Sequence, residues 1–168
     1  MAFPRRILLK AAALGLAASG CGVVGFDVEQ DIPEQTVQGL GLGIALPVNF
    51  LQFPLQIDID SQTKAMGTGP ASSAHLKSIT LTITKPPGET FDFVDSIVIN
   101  IAGEGLPTRE VARLDPVPAT GTISLQVIES VDLLPYIKKG ASLSSNAKGH
   151  TPAQTISFNG KVVVRVKV

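Results

Sequence analysis

Four stretches of this sequence alternate apolar with polar residues at a period of two, and a half-buried β-strand is what that period specifies. Ile79, Leu81 and Ile83 alternate with Thr80, Thr82 and Thr84 before Pro86-Pro87-Gly88; Ile97, Ile99 and Ile101 precede Gly103. Ile123, Leu125 and Val127 repeat the pattern, and Val162, Val164, Val166 and Val168 oppose Arg165 and Lys167. Antiparallel sheets with one wet face read this way, whereas strands buried on both faces read as continuous apolar runs. From about Phe26 onward no helical periodicity persists for ten to twelve residues. The low share of charged side chains, 17%, argues for a globular chain rather than disorder. The expectation is one all-β domain over residues 26–168, an antiparallel two-layer β-sandwich of about eight strands, with a small open barrel as the alternative.

Three local signals refine it. Asn159-Gly160 between Thr155–Phe158 and Lys161–Val164 predicts a hairpin. A two-residue loop there would place Ile156 opposite Val163 and mix apolar with polar on both faces, so a three-residue loop, Phe158 to Gly160 with Gly160 left-handed, is expected. Asp132 to Gly140 predicts a short connecting helix, with an acidic cap, Pro135 in the first turn, Lys138 and Lys139 in the last and Gly140 as stop. A further turn of helix is expected near Phe91 to Ser96. The strand pattern loosely resembles immunoglobulin-like and desiccation-protein-like sandwiches, a resemblance that implies the layout and carries no functional residue.

The first twenty residues do not belong to this pattern. Arg5, Arg6 and Lys10, without an acidic residue, precede the apolar run Ala11–Ala18 and the small residues Ser19 and Gly20. That is the order of a secretory signal peptide, and the run is shorter than the roughly 20 residues a membrane span needs. Ala18-Ser19-Gly20-Cys21 resembles the lipobox of bacterial lipoproteins. The resemblance implies cleavage after Gly20 and acylation of Cys21, leaving residues 21–25 as a lipidated tether. Cys21 is the single cysteine of the chain, so no internal disulfide competes for it. Gly22 rather than Asp after the cysteine implies, by the same resemblance, sorting to the outer membrane. Arg5-Arg6 within Arg5–Lys10 also resembles a twin-arginine export motif. Loss of residues 1–20 removes three of the 14 basic and none of the 14 acidic side chains, for a mature net charge of −3. No nucleic-acid partner is expected of such a chain.

Little in the remainder points to chemistry. His75 and His150, the two histidines, stand in contexts that read as solvated loops, without metal-ligand spacing. No Gly-x-Ser-x-Gly is present. Gly39-Leu40-Gly41-Leu42-Gly43 lacks the lysine and following helix of a phosphate loop. Asp58 and Asp60 read as the charged face of a strand whose other face carries Ile57 and Ile59, too few oxygens for Ca²⁺. No catalytic residue, metal or cofactor is therefore expected. The unusual feature is Gln35–Ile57, which has no charged side chain. It reads as a core strand followed by a Pro-bounded crossover; alternatively Leu40, Leu42, Ile44, Phe50 and Phe53 form an apolar patch for a lipid, an apolar ligand or a protein partner. The expected function is that of a non-enzymatic envelope protein, anchored through Cys21 and structural or binding in role. An apolar-ligand module and a hydrolase with an unrecognised Ser/His/Asp site are the rivals.

Overall fold

The computed structural model describes residues 25–41, 43–47 and 49–168. They form an all-β, antiparallel two-layer sandwich with nine strands and two short helices among the described residues. In chain order these are β1 (Gly25–Val37), β2 (Gln52–Pro54), α1 (Ile59–Ala65), β3 (Ser73–Lys85), β4 (Val94–Gly103), β5 (Leu106–Leu114), β6 (Thr122–Ser124), β7 (Gln126–Val127), α2 (Leu134–Ile137), β8 (Ser142–Gly149) and β9 (Ile156–Lys167). One sheet has the order β1-β9-β3-β6, the other β2-β8-β4-β5-β7.

The alternating stretches become strands because each can bury one face. In β3 Ile79 and Leu81 are buried while Thr80 and Thr82 remain partly exposed, and in β4 Ile97, Ile99 and Ile101 point inward. The stretch from Ile123 to Val127 differs from expectation: it is divided at Leu125 between β6 in one sheet and β7 in the other. A strand that changes sheets in this way forms a corner of a sandwich. Phe158 of one sheet packs edge-on against Phe91, which leads into β4 of the other, at 5.9 Å, and against Phe50 at 5.6 Å. The fully buried Phe91 and Phe158 rings contribute about 1.5–3 kcal/mol each through burial, and each edge-to-face pair about 0.5–1.5 kcal/mol more.

The expected hairpin at Asn159-Gly160 does not form. Residues 156–167 are one strand, β9, held on one side by β1 and on the other by β3. Ile156, Phe158, Val162, Val164 and Val166 are all buried, so the inward parity passes through Gly160 without interruption. Gly160 is not left-handed. It is needed for space instead: a Cβ there would meet the Thr80 carbonyl oxygen at 2.4 Å, Leu81 Cδ2 at 2.8 Å and Ile32 Cδ1 at 3.1 Å.

The helical expectations are also revised. The helix predicted from Asp132 contracts to the four residues of α2, and Phe91–Phe93 make a turn ahead of β4 rather than a helix. The Asp58–Asp60 strand is replaced by α1, because Asp58 caps it: Oδ1 accepts from the Ser61 amide at 2.9 Å and Oδ2 from the Ser61 hydroxyl at 2.6 Å. An aspartate at that position satisfies an amide the first helical turn leaves without a partner. These Ser61 contacts, side chain first, hold the Asp58 carboxyl below its ordinary value.

Candidate functional site

The outer face of the four-stranded sheet carries an open cleft of about 460 Å³ lined by His75, Leu76, Lys77, Glu129, Arg165 and Lys167. Strand register creates it. Lys167 of β9 lies between Gly25 of β1 and Ser73 of β3, and Arg165 lies between Asp27 and His75. Residues 75 and 165 are therefore side by side on adjacent central strands. Glu129 comes from the segment after β7, which runs along the start of β3: Leu133 donates to the Ala74 carbonyl at 2.7 Å, and His75 and Asp132 form an isolated bridge. Asp132 is the clamp of that segment, its Oδ1 accepting from the Ala74 amide at 2.9 Å and the Leu134 amide at 3.0 Å.

Asp27 organises the cations of the cleft. Its Oδ2 accepts from Lys77 Nζ at 2.5 Å and its Oδ1 from Arg165 Nη1 at 3.0 Å. Lys77 first and Arg165 second hold the Asp27 carboxyl below its ordinary value. Lys167 makes no ion pair with an acidic side chain among the described residues, and His75 Nδ1 is shielded from solvent without a hydrogen-bond partner there. Along the same face Glu29 pairs with Lys161 at 2.8 Å, raising the lysine above its ordinary value, and Glu34 accepts from Thr84 and Lys85, which lower it.

The histidines do not occupy the solvated loops expected. His75 is a partly buried residue of β3, and His150 forms an isolated bridge with Ala45 while its amide donates to the Phe93 carbonyl at 3.0 Å. No group of three or more His, Cys, Asp or Glu among the described residues is placed to hold a metal ion. No helix among them is long and apolar enough to cross a membrane.

The uncharged stretch is not one core strand: it holds the end of β1 and the three residues of β2, joined by an irregular segment. Residues 38–51 carry only an isolated bridge among those described, with Gly41 and Gly43 at left-handed φ of 88° and 97°. It is stitched to the β8–β9 connection: the Thr151 amide donates to the Ile44 carbonyl at 2.7 Å, its hydroxyl to the Gly41 carbonyl at 3.0 Å, and the Leu46 amide to the Gly149 carbonyl at 3.1 Å. The candidate apolar patch separates accordingly. Phe53 is buried at 3% exposure and Phe50 is half-buried against Phe158, whereas Leu40 is 61% and Ile44 47% exposed. These two lie beyond the Val37 end of β1, whereas the cleft lies toward its Gly25 end. Leu42 lies outside the described residues, as do Arg5, Arg6, Ala18, Ser19, Gly20 and Cys21.

Sequence reasoning missed the cleft, the Asp27 pairing and the Asp132 clamp. Lys77 and Arg165 are 88 positions apart, and only strand register brings them together. No family model and no curated protein matches this chain. Among solved structures, that of tomato aspermy virus by X-ray crystallography is similar at a TM-score of 0.34, with 10% identity over 88% of this chain and 81% of that one. At that level the likeness carries no argument about function.

Proposed function

We propose that this chain is a lipid-anchored protein of the bacterial envelope, attached to the outer membrane by acyl chains on Cys21, with a structural or binding role for its β-sandwich. The observation that supports the reading is the signal-like order of residues 1–20 ending at the single cysteine, with β1 beginning four residues later at Gly25. Cleavage before Cys21 thus spares every strand found among the described residues. Two or three acyl chains, at about 0.8 kcal/mol per buried methylene, hold a protein at a bilayer where one chain gives only reversible binding. Metabolic labelling with a fatty-acid analogue tests it: the wild-type chain takes up the label, and Cys21→Ser does not. An unlabelled wild type refutes the anchor.

A second reading, contact with an apolar partner, is favoured by the exposure of Leu40 and Ile44. It places that contact on the loop rather than in the sheet interior, where Leu51, Phe53 and Leu55 are already packed.

A further inference from the structure

We infer that the cleft formed by His75, Lys77, Arg165 and Lys167 docks the phosphate of an anionic phospholipid in the membrane that carries the Cys21 anchor. The inference rests on the lipid-anchor reading above and adds a site to it.

Placement is the first argument. Gly25 is paired with Lys167, and Ser73 is paired with Lys167 from the other side. The cleft therefore opens at the end of the sheet where β1 begins. Cys21 precedes Gly25 by four residues, and four residues span at most about 14 Å even when fully extended. Acyl chains on Cys21 would fix that residue at the boundary between hydrocarbon and headgroups, so this end of the sandwich is held within reach of lipid phosphates.

Charge is the second. The mature chain carries −3, yet the lining of the cleft sets Lys77, Arg165 and Lys167 against one carboxylate, Glu129; of the two carboxylates that flank it, Asp27 is paired with Lys77 and Arg165, and Asp132 accepts from the Ala74 and Leu134 amides. A net negative chain thus presents a net positive site where it meets the bilayer. The donors are also not used up. Arg165 spends Nη1 on Asp27, one of its five N–H groups; Lys77 spends one of three; Lys167 spends none on an acidic side chain among the described residues. Asp27 steadies the guanidinium and the Lys77 ammonium side by side, and a planar guanidinium fork fits two oxygens of a phosphate. His75 lines the same cleft beside Arg165, its neighbour across the β3–β9 register. A cleft of about 460 Å³ has room for a phosphate with its glycerol.

The test uses the exported chain purified from membranes in a neutral detergent, with the state of Cys21 read from its intact mass. It is titrated with dihexanoyl phosphatidylglycerol, and the side-chain NMR signals of His75, Arg165 and Lys167 are followed. The expected result is a saturable shift confined to the cleft, absent with dihexanoyl phosphatidylcholine. Binding weakens about ten-fold in Lys77→Gln/Lys167→Gln, whose exposed positions leave folding intact, and similarly in about 0.5 M salt. No shift, an equal response to the zwitterionic lipid, or shifts scattered over the basic surface overturns the inference. Inorganic phosphate binding as tightly as the lipid reassigns the cleft to free phosphate and overturns it too. An acylated Cys21 without cleft shifts defeats the cleft alone. An unmodified Cys21 defeats the anchor, and with it the membrane role of the cleft, whatever the short-chain lipid does.

Discussion

Gly160→Ala is the substitution that separates a continuous β9 from a hairpin. In the continuous strand the new methyl group points into the sandwich and would lie 2.4 Å from the Thr80 carbonyl oxygen, 2.8 Å from Leu81 Cδ2 and 3.1 Å from Ile32 Cδ1. Leu81 and Ile32 can move by rotamer, but the Thr80 oxygen is main chain of β3, fixed by its pairing with Lys161 and by β6 on its far side. Relief then requires the two central strands to separate locally. Overpacking of a close-packed core costs about 1–3 kcal/mol and sometimes more; Ala gains about 0.5–1 kcal/mol over Gly in a strand through chain entropy. With a backbone atom as the obstacle the upper part of the range applies, for a net loss of about 2 kcal/mol, or roughly 4–8 °C in Tm for a domain of this size. Gly160→Val should prevent folding at ordinary temperatures. Thermal and urea melts of the purified chain give the answer. A Gly160→Ala protein as stable as wild type would place Gly160 away from the strand interior and refute the β9 assignment.

Asp132→Ala should cost about 2 kcal/mol, because it leaves the Ala74 and Leu134 amides without their shared acceptor; Asp132→Asn, which keeps one carbonyl oxygen, should recover part of it, and equal melting of all three would remove the clamp. Leu40→Asp, at a 61% exposed position, should change stability by less than about 0.5 kcal/mol, while Phe53→Ala, at 3% exposure, should cost about 3–5 kcal/mol; the reverse order in urea melts would invert the division of the uncharged stretch. The carboxyls of Asp27, Glu34 and Asp58 are all lowered in the fold, so each contributes stability that is present above its unfolded value and lost as pH falls through the lower folded one. Tm should therefore decline below about pH 4, and a Tm unchanged down to about pH 2 would show that these contacts do not persist in solution.

What was legible in the sequence was local, and what was not depended on partners. The period of two over Ile79–Ile83 and Ile97–Ile101 is a property of each segment alone, and β3 and β4 form where it occurs. Asn159-Gly160 is a turn signal only when the chain must reverse. Inside β9 the same glycine answers a demand set by Thr80, Leu81 and Ile32, residues more than 70 positions away in sequence. The warning was present all the same: a two-residue turn scrambled the faces, whereas an uninterrupted strand keeps Ile156, Phe158, Val162, Val164 and Val166 in one parity. At Asp58 two local signals competed. The alternation through Leu51, Phe53, Leu55, Ile57 and Ile59 is real, since all five are buried, but the cap supplied to Ser61 turns the chain into α1 at the last of them. The cleft was out of reach for the same reason as β9. Lys77 and Arg165 acquire a common carboxylate only once β9 lies between β1 and β3, an arrangement that no local pattern around either residue specifies.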